Sequence, residues 1–126
     1  MIVAPASHSD MIWDLQDYQR AKTLNSKQAR GNKMVHICPL PIDLVNRCIE
    51  RWSNKGDVVF DPFGGIQTVP YCAVLKGRKG LSTELNPDYW HDGIAYLMDA
   101  EREVSTPTLF DLWAQGGLEE YKEAEA

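Results

Sequence analysis

An α/β fold with a short parallel sheet flanked by helices is predicted by three observations. The apolar run Asp57-Val58-Val59-Phe60 ends at the acid Asp61 and is followed by the glycine pair Gly64-Gly65. A helix is expected from Gln67 to Lys76, with Pro70 tolerated in its first turn and Gly77 stopping it. A second strand is expected over 80–84, ending in Glu84, 23 positions after Asp61. Two strands joined through one helix run parallel, because the crossover returns the chain in its original direction.

The remaining elements follow in chain order. Residues 1–35 read as an N-terminal arm, in which Met11-Ile12-Trp13 and Leu15 form a short strand or turn. Residues 17–33 are polar and basic, with Asn25-Ser26 as a helix cap and Gly31-Asn32 as its stop. Arg20, Lys22, Lys27, Arg30 and Lys33 are then either a solvated face or a phosphate-facing one. The prolines of His36-Ile37-Cys38-Pro39-Leu40-Pro41 exclude helix and central strand, which leaves a stiff extended loop. Asp43 is read as the cap of the next helix, where Leu44, Val45, Cys48, Ile49 and Trp52 recur at helical spacing. Ser53-Asn54-Lys55-Gly56 ends that helix. Asn86-Pro87 opens another to about Arg102, expected to bury Tyr89, Trp90, Ile94 and Leu97 and to solvate Asp88, Asp92 and Asp99. The expected organisation is an arm (1–35), one domain (36–104) and an acidic tail (105–126) containing the short apolar segment Thr108-Leu109-Phe110-Asp111-Leu112-Trp113.

Composition narrows the function classes. At 126 residues there is room for one core, and the 44% apolar and 25% charged fractions are those of an ordinary globular domain. No apolar run approaches the roughly 18 residues of a membrane span. No basic segment followed by an apolar one opens the chain, so no secretion signal is expected. Three cysteines without a CxxC pair suit reduced thiols and a cytoplasmic protein. His8, His36 and His91 lack metal-ligand spacing, and no metal site is expected. Residues 84–126 carry eleven acidic and two basic side chains, within a net charge of −5. Such a chain has no electrostatic reason to seek the DNA backbone by itself.

The chemistry gathers where the two strands end. Ligands on parallel sheets bind beyond the carboxyl ends of the strands, which places Asp61, Gly64, Gly65 and Glu84 together. Glycines let backbone approach the ligand, and the Glu84 carboxylate offers two acceptors to the two hydroxyls of a ribose. The turn is not GxGxxG and carries no basic residue, so pyrophosphate is disfavoured. A nucleoside with a cationic or zwitterionic end suits the acidic site better.

These residues resemble a family. Asp61-Pro62-Phe63-Gly64-Gly65, preceded by Gly56-Asp57-Val58-Val59, is similar to the S-adenosylmethionine-binding motif of DNA amino-methyltransferases of the adenine-N6 and cytosine-N4 type. Glu84-Leu85-Asn86-Pro87-Asp88-Tyr89-Trp90 resembles that family's next motif, and His36 to Pro41 with Leu44 its proline-rich segment. Thr68-Val69-Pro70-Tyr71 after the glycines looks like phage and prophage members. The resemblance covers residues 36–90 and implies a partial Rossmann-like methyltransferase fold with S-adenosyl-L-methionine as cofactor. It implies that Phe63, Gly64 and Gly65 hold adenine and methionine, that Glu84, with Leu85 and Asn86 beside it, takes the ribose, and that Asp61 favours the sulfonium. Thr68 follows in the same loop, and Cys38, Pro39 and Leu40 close the pocket, although Cys38 reads equally as a small buried residue.

Two departures shape the functional expectation. The family's loop continues Ser-Gly-Thr where this chain has Ile66-Gln67-Thr68, which is expected to put side chains near the methionine moiety and to reduce affinity. The family's catalytic tetrapeptide, an Asp, Asn or Ser before Pro-Pro and an aromatic, occurs nowhere in these 126 residues, so no catalytic residue is assigned. The expected protein is therefore the cofactor-binding, C-terminal half of a methyltransferase. It would meet DNA only with a catalytic and target-recognition half, or another subunit, supplied elsewhere. The alternative is a non-catalytic phage protein, a pseudoenzyme that binds or inhibits a protein partner through its acidic face. The open edge of so small a sheet predicts a homodimer or an extra strand from the N-terminal segment.

Overall fold

The computed structural model describes residues 22–25 and 40–114. Features expected at 1–21, 26–39 and 115–126, Cys38 and Pro39 among them, lie outside the described residues. The elements are α1 (Ile42–Trp52), β1 (Val58–Asp61), α2 (Thr68–Leu75), β2 (Lys79–Ser82) and α3 (Pro87–Ser105). Residues 109–114 are also helical. β1 and β2 pair in parallel, Val58 opposite Lys79 and Asp61 opposite Ser82. This is the strand–helix–strand unit expected from the sequence.

α2 is the hub. Its sequence, TVPYCAVL, is apolar all round, and such a helix is stable only when surrounded. It touches both strands and both long helices, and Thr68, Pro70, Cys72 and Ala73 are buried. Its close seat on β2 depends on Gly80, where a Cβ would lie 2.7 Å from the Pro70 backbone. Val45 and Ile49 of α1 meet Cys72 and Ala73 in the core, with Ile42, Val59, Val69 and Tyr71 packed around them.

α1 begins one residue earlier than its expected cap. Pro41 is the N-cap, and Asp43 sits in the first turn, where it pairs with Arg47 at 3.0 Å. Proline serves there because a helix start leaves its N–H groups without intrahelical partners anyway. At the other end the Arg78 guanidinium donates to the Ser53 carbonyl (2.8 Å) and to the Lys76 carbonyl (2.6 Å), joining the ends of α1 and α2. A Lys76–Glu50 ion pair links the same two helices.

α3 buries a different face from the expected one. Asp92, Gly93 and Ala100 are its buried residues, whereas Trp90 is exposed and Ile94 and Leu97 are half-buried. Expecting Asp92 to be solvated was therefore wrong. Small residues decide the face, because Gly93 and Ala100 let α3 approach α2 more closely than large side chains would. Of the arm, residues 22–25 have no regular secondary structure and dock on the body: Leu24 is buried, the Ile42 N–H donates to the Lys22 carbonyl (2.9 Å), and the Tyr96 hydroxyl donates to the Asn25 carbonyl (2.8 Å).

The sheet is covered on one face. Val59 and Gly80 face α2, whereas Val58, Phe60 and Leu81 on the opposite face are more than half exposed. Bonds from the Lys79 N–H to the Asp57 carbonyl (2.8 Å) and from the Thr83 N–H to the Asp61 carbonyl (3.1 Å) turn the odd-numbered residues of β1 toward β2. By strand alternation the backbone groups of Val58 and Phe60 point to the other edge.

Candidate functional site

The glycine turn after β1 and the strand end after β2 are stitched together by hydrogen bonds. The Asp61 carboxylate accepts the Phe63 N–H at 2.9 Å, the local turn an Asp readily makes. The Gly64 N–H donates to the Thr83 carbonyl (2.8 Å), and the Thr83 hydroxyl donates to the Pro62 carbonyl (2.6 Å). The Glu84 carboxylate then bridges two segments: one oxygen accepts the Gly65 N–H and the other the Asn86 N–H, each at 2.7 Å. Asn86 caps α3, its side-chain oxygen accepting from Asp88 (2.9 Å) and Tyr89 (3.4 Å). Asp61, Phe63, Gly64, Gly65, Glu84, Leu85 and Asn86 thus come together from positions far apart in the chain.

Two features of this cluster are not required by folding. Phe63 is 86% exposed and Leu85 fully exposed, so two large apolar side chains flank the turn without entering the core. Glu84 spends one acceptor position on each oxygen and keeps others, because a carboxylate has about four. The site therefore offers apolar surface, an oriented carboxylate and close backbone, which together suit a nucleoside.

Other expected site residues are placed differently. Thr68 is buried in the first turn of α2. Leu40 borders an apolar groove of about 360 Å³ beside α1 and β1, with Leu44, Cys48, Trp52, Val58 and Val69; neither the glycine turn nor Glu84 lines it.

The altered loop packs inward: Ile66 and Gln67 are 2% and 1% exposed, and the Gln67 side chain lies against Gly64 at the base of the turn. Gln67 occupies the left-handed region (φ +68°), and its amide donates to the Gly65 carbonyl at 3.3 Å while its oxygen accepts from the Ser82 hydroxyl. Sequence reasoning gave Gln67 and Ser82 no such role. The departure at 67 was visible, but its direction depends on α3, where Gly93 leaves the space.

Burial pushes the Cys72 thiol up to about 11, Lys76 opposing, which makes it a core thiol and not a nucleophile. Among the described residues no group of three or more His, Cys, Asp or Glu side chains could hold a metal, and no helix is long and apolar enough to cross a membrane.

A parallel strand–helix–strand unit with an acid-flanked glycine turn at the strand ends defines a nucleoside-binding type of α/β domain. Residues 5–96 match the DNA methylase family of the N6/N4 type, and the chain belongs to that family. It is 35% identical over 78 residues to the orphan methyltransferase M.BamHII of Bacillus amyloliquefaciens, covering 62% of this chain and 28% of the relative. It is 31% identical over 93 residues to the DNA adenine methyltransferase YhdJ of Escherichia coli, covering 74% and 30%. A DNA modification methylase of Thermus thermophilus, solved with S-adenosyl-L-methionine, aligns with 35% identity and a TM-score of 0.47, over 49% of this chain and 26% of that one. The chain spans about three tenths of the length of these curated relatives.

Proposed function

We propose that this chain is the cofactor-binding part of an S-adenosyl-L-methionine-dependent DNA amino-methyltransferase acting on adenine N6 or cytosine N4. The observation that carries the reading is the Glu84 bridge, which presents one carboxylate beside the glycine turn between exposed Phe63 and Leu85. The cofactor supplies an electrophilic methyl group on its sulfonium. Glu84 accepts the ribose hydroxyls, Phe63 and Leu85 pack on the adenine, and the carboxylate of Asp61 favours the positive sulfur.

Catalysis and target recognition come from a further part of the enzyme. No Pro-Pro-aromatic segment occurs within these 126 residues to hold a flipped base. The edge of β1 that no strand covers among the described residues, the exposed apolar face of Val58, Phe60 and Leu81, and the apolar groove beside α1 all suit an added strand that completes the sheet. DNA is engaged through that assembled enzyme, in keeping with the net charge of −5.

Calorimetric titration of the chain with S-adenosylmethionine and S-adenosylhomocysteine tests the reading. Micromolar binding that Glu84→Ala weakens at least tenfold is the expected result; a folded protein that binds neither ligand overturns it. That outcome would favour a second reading, a non-catalytic protein-binding module. Its supporting observation is the exposed end of the described chain, where Glu101, Glu103 and Asp111 are interspersed with exposed Val104, Phe110 and Trp113.

A further inference from the structure

We infer that Gln67 is a positioning residue for the cofactor: acting through Gly65, it sets the orientation in which Glu84 meets the ribose. The inference rests on the cofactor reading above and adds a residue that touches neither ribose nor methyl group.

Four groups close a ring between the loop and the strand end. The Ser82 hydroxyl donates to the Gln67 side-chain oxygen, and the Gln67 amide donates to the Gly65 carbonyl (3.3 Å). The Gly65 N–H donates to Glu84 (2.7 Å), and Glu84 lies two residues beyond Ser82 on the same strand end. Gly65 is thus held by side chains on both of its backbone groups. Its φ of +54° is followed two residues later by the +68° of Gln67, so two left-handed residues shape the turn. Glutamine at such a φ is uncommon and strained, which the surroundings must offset. They do so by enclosing the side chain. A Cβ on Gly64 would lie 2.6 Å from the Gln67 amide nitrogen, and one on Gly93 would lie 2.1 Å from its Cγ. Gln67 is 1% exposed, so its amide and oxygen are confined to partners inside the fold. Without the amide, the peptide plane between Gly65 and Ile66 loses its tether, so the φ and ψ of Gly65, which relate that plane to the one whose N–H orients the Glu84 carboxylate, are free to readjust.

The test is a double-mutant cycle on cofactor affinity, with Gln67→Gly and Glu84→Gln made singly and together in the whole chain. Glycine suits the left-handed backbone and removes the tether together with the buried side chain that carries it, so the Glu84→Gln background separates loss of the tether from loss of packing. Ser82→Ala serves as a milder variant should circular dichroism show that Gln67→Gly fails to fold. The wild type is titrated first, with S-adenosylmethionine and with a 3′-deoxyribose analogue of S-adenosylhomocysteine. Absence of binding by folded wild type overturns the cofactor reading itself. Given wild-type binding, Gln67→Gly is expected to weaken S-adenosylmethionine about tenfold, to weaken the 3′-deoxy analogue clearly less, and to add less than twofold once Glu84 is replaced. A tenfold loss that persists in the Glu84→Gln background, or equal losses for both ligands, would show general loop damage and overturn the inference. Unchanged affinity in Gln67→Gly and Ser82→Ala alike would also overturn it.

Discussion

Gln67 and Gly93 interlock: the Cβ of any other residue at 93 would fall 2.1 Å from the Gln67 Cγ and 2.9 Å from its Cβ. The atoms it would meet belong to the base of an enclosed side chain, so the clash cannot be relieved by swinging a flexible end away. Gly93→Ala is therefore expected to destabilise the chain by about 1–3 kcal/mol, the usual cost of overpacking. Urea denaturation would measure it. Adding Gln67→Gly should return part of the loss, whereas additive effects of the two substitutions would contradict the interlock.

Asn86 holds the start of α3 through its bonds to Asp88 and Tyr89, at 2.9 and 3.4 Å. Asn86→Ala removes the cap and should cost about 1 kcal/mol. Asn86→Ser, which keeps an acceptor on a short side chain, should recover most of it when wild type and both variants are compared by thermal denaturation.

Ile49 is 4% exposed and lies where α1 meets Cys72 and Ala73 of α2. Truncation to alanine should cost about 2–5 kcal/mol through lost burial and the cavity left behind. Trp52, 63% exposed on the same helix, makes a useful contrast. Its replacement by glutamine should leave the denaturation midpoint of the isolated chain nearly unchanged.

The Cys72 thiol carries a pH dependence whose sign follows from its burial. Its pKa rises from 9.0 to about 11 in the folded chain, so between these values the unfolded chain loses a proton that the folded chain keeps. Stability contributed by the protonated thiol is complete below pH 9.0 and declines as the pH climbs toward about 11. Equilibrium melts of wild type and Cys72→Ala across that window should converge at high pH. A parallel pair of curves would contradict the assignment. Alkylation by iodoacetamide at pH 8 should be slow for the native chain and rapid once it is unfolded.

Much of the architecture was legible before any coordinates. The alternation from the apolar run 57–60 through the helix after the glycines to the strand before Glu84 specified a parallel pair, and β1, α2 and β2 fall within two residues of the expected bounds. The glycine turn and Glu84 were legible too, because an acid at each strand end and glycines between them have few structural purposes. Errors arose where partners are remote in sequence. The buried face of α3 was misjudged because hydropathy ranks Trp90 above Gly93, yet close helix approach is decided by the smaller residue. Asp43 has the best capping chemistry nearby, yet the cap of α1 lies two positions earlier, at Pro41.

The sequence by itself determined the order of elements, the family and the identity of the acids and glycines that form the candidate site. These depend on local periodicity and on residue chemistry that no neighbour can change. Only the tertiary structure decided how Glu84 is aimed, which way Gln67 turns and which apolar residues are left uncovered. Each of those outcomes depends on groups that meet across the fold: the Gly65 N–H against a carboxylate 19 residues away, the gap at Gly93 against the Gln67 side chain, and a sheet whose Val58, Phe60 and Leu81 find no cover among the described residues.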